Sequence, residues 1–190
     1  VGVGEEKASI EIHGSVGTHA LFPTLAAIAV GSIFKKSLSE MISSLVKYDP
    51  PPGRMRLLRG IKETLLIDDT YNSSPAAVTA ALDALAFIGP HFAAARHKRG
   101  RRIAVLGDML ELGRHSVEEH RKLGAHAAKK KINILITIGF RARDIAQAAL
   151  DHKMKDSAIL QYERAVELLM AEPEKAATLL VRQDEEWKKR

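Results

Sequence analysis

From residue 64 onward, short apolar runs rich in β-branched residues alternate with helix-forming stretches that begin at recognisable caps, and this alternation leaves few folds open. Thr64 to Ile67, Ile103 to Leu106, Ile132 to Ile138 and Ala158 to Leu160 read as strands, with Thr178 to Val181 as a last one. Between them lie helices. Pro75 at a first turn behind Ser74 as cap opens one that runs to about Phe87. Ser116 with Glu119 has the spacing of a capping box and predicts a helix to about Lys130. Arg141 to Leu150 and Arg164 to Met170 complete the set. Strands joined through helices pair in parallel by right-handed crossovers, so the expected class is α/β with a doubly wound, mostly parallel sheet.

The first fifty residues follow another pattern. Ala8, Ile10 and Ile12 alternate weakly and suggest a strand. The Ala- and Leu-rich stretch 20–34 reads as a buried helix. Ser37 with Glu40 is a second capping-box spacing and opens a short helix to about Tyr48. Then comes Asp49-Pro50-Pro51-Pro52-Gly53, which can neither continue a helix nor sit inside a sheet. It is the best candidate for a domain boundary, dividing the chain into 1–50 and 51–190.

Composition narrows the function classes. Among 190 residues there are no cysteines, which excludes disulfides and thiolate zinc sites. No apolar run reaches the roughly 18 residues of a membrane span. No secretory signal pattern opens the chain, and the expected compartment is the cytoplasm. The net charge of +6 suits an anionic partner. Its densest cluster, Arg96, Lys98, Arg99, Arg101 and Arg102, lies in a Gly-containing stretch without interleaved aromatic residues. It reads as solubilising loop charge rather than a nucleic-acid footprint.

In an open parallel sheet, ligands bind beyond the carboxyl ends of the strands. Three segments occupy such places: Asp68-Asp69-Thr70-Tyr71-Asn72-Ser73-Ser74-Pro75, Gly107-Asp108-Met109-Leu110-Glu111-Leu112-Gly113, and Gly139-Phe140-Arg141. The first two carry carboxylates and are expected to converge on one edge of the sheet. Carboxylates there could hold a sugar hydroxyl, a magnesium ion or an amine. The plainer alternative makes Asp69, Asn72 and Ser74 turn formers and a cap, and the two glycines the brackets of a turn. No Gly-rich phosphate loop ending in Lys-Ser/Thr, no dinucleotide fingerprint and no Gly-x-Ser-x-Gly elbow is present. The His115, His120 and His126 spacings of five and six residues do not share a helix face, so no metal site is expected. The residues alone therefore describe an α/β domain with an anion- or nucleotide-like site and without its own catalytic engine.

Pro52-Gly53-Arg54-Met55, the Asp68 to Pro75 segment and Val105 to Gly113 with His120 following closely resemble the Mur ligase family, and within it the branch that adds D-alanyl-D-alanine. The resemblance implies a central ATPase domain ending near residue 50 and a Rossmann-like C-terminal domain over 51–190. It implies an ATP-dependent amide ligase of peptidoglycan synthesis, whose carboxylate substrate becomes an acyl phosphate that an amine then attacks. Its partners would be a UDP-N-acetylmuramoyl-peptide and D-alanyl-D-alanine, not nucleic acid or membrane. ATP and Mg2+ would be required, with most of their ligands upstream of this chain. By the same resemblance Arg54 would reach ATP phosphates and act in catalysis. Asp69 would accept hydrogen bonds from ribose, Tyr71 and Asn72 would shape the nucleotide edge, and Asp108 and Glu111 would face the dipeptide. The proline-rich segment would be a hinge. His120 fits either a site role or a helix surface.

Two segments depart from the family pattern. A His-Asn-x-x-Asn segment is replaced by His19-Ala20-Leu21-Phe22-Pro23, and a Lys-Gly-Ser-Arg segment by Arg182-Gln183-Asp184-Glu185. These departures keep open a non-catalytic nucleotide- or peptide-binding module derived from such a ligase. The chain alone is expected to be inactive.

Overall fold

Residues 103–162 build the expected parallel sheet. β5 (Ile103–Gly107), β6 (Ile134–Ile138) and β7 (Ile159–Tyr162) lie side by side in chain order, all parallel. α4 (Ser116–Lys129) and α5 (Arg143–Asp151) are the crossovers, and they pack on one another. The computed structural model describes residues 1–60, 64–95 and 100–162. The expected helix 164–170, the expected strand 178–181, the 182–185 segment, and Arg96, Lys98 and Arg99 lie outside the described residues.

The core of this region combines leucine and isoleucine side chains with alanines at close range. Leu135, Ala142, Ile145, Ala146, Ala148 and Ala149 are buried, as are Leu123 and Ala127 from α4. Gly124 lets α4 approach α5 until there is no room for a side chain: a methyl there would overlap the Ile145 carbonyl oxygen and stand 2.9 Å from Ala148 Cβ. Each large apolar side chain buried this way contributes about 1.5–3 kcal/mol. Arg102 closes the far end of α4, donating to the Lys130 and Lys131 carbonyls.

The chain gathers into two compact units, Val1–His91 and Phe92–Arg190. The proline-rich segment lies inside the first. There β3 (Arg56–Arg59) and β4 (Leu65–Asp68) form an antiparallel pair. β4 is the strand expected at Thr64 to Ile67, yet its partner is antiparallel and was not foreseen, because Arg56-Leu57-Leu58-Arg59 carries too short an apolar signal. Ser15 bridges Arg56, and the Leu57 N–H donates to the Gly14 carbonyl at 2.8 Å, so the upstream segment borders this pair. α3 (Pro75–Ala95) starts where expected, with the Ser74 hydroxyl accepting the Ala77 N–H, but runs past Phe87 and contains Pro90.

Residues 1–13 form no single strand. β1 (Gly2–Val3) and β2 (Glu6–Lys7) make a minimal hairpin, and the Ala8 to Ile12 alternation lies beyond it. α1 (Leu21–Ile33) is a helix but not a buried one. Only Thr24 and Ile28 are buried, while Phe22 and the adjoining Phe34 are each 73% exposed. The α2 helix (Leu38–Leu45) opens on the full Ser37–Glu40 capping box. The second capping-box spacing does not form. A 3-10 turn at Gly113–His115 draws Ser116 into α4 as its first residue, and Glu119 pairs with Lys122.

Asp68 ties this first unit together. Its carboxylate accepts from the Thr70 hydroxyl at 2.7 Å and the Gly53 N–H at 2.9 Å. The Thr70 hydroxyl foremost, then the Gly53 N–H, hold its pKa below the ordinary value of 3.8. A depressed carboxylate stabilises the fold above its unfolded pKa and loses that contribution as pH falls through the folded value. Asp68→Asn is therefore expected to lower stability at pH 7, and the gap to wild type should narrow below about pH 4. Denaturant melts at both pH values check this; a gap that does not change with pH would contradict it.

Candidate nucleotide-binding site

The segment after the prolines is shaped by Asp68 at the end of β4 and Asp69 directly after it. Gly53 adopts φ +73° and packs against Tyr71, where an added Cβ would stand 2.8 Å from the Tyr71 nitrogen. No other residue type combines that backbone with that proximity. The Tyr71 N–H donates to the Gly53 carbonyl at 3.1 Å. The Met55 N–H donates to Asp69 Oδ1 at 3.0 Å. Asp68 and Asp69 thus grip the residues on either side of Arg54. Held there, the exposed Arg54 guanidinium lies 4.1 Å above the Tyr71 ring centre, and that ring is 69% exposed.

An open cavity of about 520 Å³ lies at this place. Arg54, Asp69, Tyr71 and Asn72 line it, as do Ser15, Tyr48 and the cap residue Ser74. The four residues singled out in this part of the sequence therefore share one cavity wall. Chemically the wall offers a planar cation with bidentate reach, an aromatic face, an amide, and a carboxylate whose lone pairs are not exhausted by one N–H. Ala20 and Pro23 also line it, at the positions of the two missing asparagines. Sequence reasoning missed Asp68 as the clamp of Gly53; the adjacent Asp-Asp pair was the available signal.

Asp108 and Glu111 lie in the other unit, in the Gly107–Gly113 loop after β5. Asp108 Oδ1 accepts the Ala142 N–H at the start of α5 at 2.7 Å. Its carboxyl group rests against Gly139, where a Cβ would be 2.5 Å from it. Glu111 is exposed, with φ +63°. Phe140 stands on the neighbouring strand end with the Arg143 guanidinium 3.7 Å over its ring. His120 is not on the helix surface: it is 0% exposed. Among the described residues no group of three or more His, Asp or Glu gathers as a metal site would, and no helix is long and apolar enough to cross a membrane.

Residues 53–182 match the family model "Mur ligase, glutamate ligase domain", and the chain belongs to the Mur ligase family. Two similar relatives carry the same enzyme name. The chain is 30% identical over 162 residues to the UDP-N-acetylmuramoyl-tripeptide–D-alanyl-D-alanine ligase of Bacillus subtilis, covering 85% of this chain and 34% of that protein. It is 32% identical over 173 residues to the enzyme of the same name from Mycobacterium leprae, covering 88% and 32%. A crystal structure of MurF from Acinetobacter baumannii superposes with a TM-score of 0.65 at 26% identity, over 80% of this chain and 30% of that one. The chain thus spans about a third of the length of the curated relatives it matches.

Proposed function

We propose that this chain serves as the C-terminal part of an ATP-dependent ligase that joins D-alanyl-D-alanine to a UDP-N-acetylmuramoyl-tripeptide through an acyl phosphate, in the cytoplasm. The observation that carries this reading is the shared cavity wall of Arg54, Asp69, Tyr71 and Asn72. Arg54 is assigned to the ATP phosphates, where a planar cation offsets charge on the transferred phosphoryl group. Asp69 accepts from the ribose hydroxyls, and Tyr71 with Asn72 borders the nucleotide. Asp108 and Glu111 are assigned to the dipeptide side. Mg2+ belongs to the reaction, but no described residue of this chain is assigned to hold it. Residues 1–50 are read as the end of the central domain and 51–190 as the C-terminal domain. The family match beginning at residue 53 is consistent with that division.

Ala20 and Pro23 in the cavity wall favour a second reading, a nucleotide- or peptide-binding module without ligation. Neither side chain offers the amide that the family pattern supplies there. Calorimetric titration separates the outcomes. ATP is expected to bind the 190-residue chain weakly, about tenfold more weakly still after Asp69→Ala, and to undergo no turnover. Phosphate release above the Asp69→Ala control would contradict the reading that the chain lacks its own engine. Ligation restored when the upstream part of the Bacillus subtilis relative is supplied favours the ligase; ATP binding without rescue favours the module.

A further inference from the structure

We propose that His120 is a positioning residue that fixes the Gly107–Gly113 loop in the shape from which Glu111 is presented; the inference rests on reading that loop as the segment facing the dipeptide.

His120 sits in the first half of α4, fully enclosed. Its Nδ1 lies 2.7 Å from the Ser116 carbonyl oxygen, with the Ser116 hydroxyl at 3.5 Å. Its Nε2 lies 3.0 Å from the Met109 backbone nitrogen, eleven residues upstream. A carbonyl oxygen can only accept, so Nδ1 carries the proton. A backbone N–H can only donate, so Nε2 keeps its lone pair. The two partners together select one neutral tautomer, and that tautomer is the acceptor for a buried N–H that would otherwise be orphaned.

The loop is anchored on both sides of this bond. On one side Asp108 bonds the Ala142 N–H and rests on Gly139. On the other, the Met109 side chain is buried, at 1% exposure. Beyond these anchors the chain turns outward. Leu110 is 64% exposed, and Glu111 and Gly113 both take positive φ, +63° and +52°. Glycine adopts that conformation freely, whereas glutamate does so only where its surroundings hold it. The hydrogen bonds at Met109 and Ala142 anchor the chain that leads into it. A purely space-filling histidine would leave the Met109 N–H bond dispensable, and that difference can be measured.

On the 190-residue chain, the imidazole nitrogens of His120 are observed by NMR, and amide exchange is followed in wild type, His120→Phe and His120→Gln. The expected spectrum is the neutral Nδ1–H form. The Met109 amide should exchange at least about tenfold faster in His120→Phe, an opening no longer opposed by that bond. Leu123 and Ile145 amides should be unchanged, and His120→Gln, whose carbonyl can accept the same N–H, should restore most of the protection. An Nε2–H or cationic ring in wild type, equal Met109 exchange in all three, or failure of Gln where Phe also fails would overturn the proposal. The ligand side is read separately, in the ligase completed with the upstream part of the Bacillus subtilis relative. There His120→Phe and Glu111→Gln should each raise the KM for D-alanyl-D-alanine about tenfold with kcat within about twofold. If exchange behaves as stated while Glu111→Gln leaves KM unchanged, the dipeptide assignment fails and the positioning role stands. If Met109 exchange ignores His120→Phe, the positioning role fails whatever the kinetics.

Discussion

Gly124→Ala is expected to destabilise the Phe92–Arg190 unit by about 2 kcal/mol, although alanine is the better helix former. Two effects oppose each other. Replacing a glycine inside a helix returns about 1 kcal/mol of propensity. Here the new methyl would overlap the Ile145 carbonyl oxygen and stand 2.9 Å from Ala149 N and Ala148 Cβ. None of these is the flexible end of a side chain, so α4 and α5 must separate. Overpacking of that kind costs about 3 kcal/mol, and separation would also loosen Leu123, Ala127 and Ala146, which are buried in the same region. Steric overlap therefore wins. Thermal melts of wild type and variant should differ by about 5 °C or more. An unchanged or raised midpoint would mean that the close approach of the two helices is not what holds this unit together.

That glycine was not legible in the sequence, and the reason is general to this chain. The sequence placed α4 and α5, the first from its capping-box spacing, but a glycine within a helical pattern looks like a weakness until the neighbouring backbone is seen. Local chemistry was read most securely where it acts alone. The Ser37–Glu40 capping box forms as spaced, because its two reciprocal bonds need only four residues. The identical spacing at Ser116 and Glu119 fails, because the Gly113–His115 turn moves the helix start upstream. β4 was legible and its antiparallel partner β3 was not, since pairing depends on a strand too short to register by itself. α1 was located but judged buried from composition. Apolar residues dictate a need for burial without saying which surface meets it, and Phe22, Ile33 and Phe34 remain exposed in the described residues.

The candidate site was legible for the same reason that motifs are: Gly53, Arg54, Asp69, Tyr71 and Asn72 lie in two short segments whose spacing is set by one hairpin. The work of the aspartates was less visible. Asp69 was chosen for a ribose, and it also holds the Met55 N–H. Asp108 was chosen for a substrate, and it also holds the start of α5. Carboxylates with two oxygens can do both, but only coordinates reveal the first commitment. His120 could be taken for a surface residue because one helix face cannot be told from another without its packing.

The second large effect concerns Arg54. The backbone on either side of it is fixed by the Gly53–Asp68 and Met55–Asp69 bonds, which do not involve the arginine side chain that lies over Tyr71. Truncation should therefore remove charge and leave the cavity standing. In the completed ligase, Arg54→Ala is expected to lower kcat about 100-fold, roughly the loss seen when one fixed donor to developing negative charge is removed. Arg54→Lys should recover only part of this, because an ammonium lacks the planar fork and stacks less well on the ring.

The most direct test of the whole account is the steady-state rate of UDP-N-acetylmuramoyl-pentapeptide formation from the tripeptide, ATP and D-alanyl-D-alanine by that completed protein, with Arg54 and with Arg54→Ala. Dipeptide-dependent product with the wild-type chain, falling about 100-fold with the alanine variant, is the predicted result. A folded protein that forms no product, or forms it equally well without the arginine, would contradict the account.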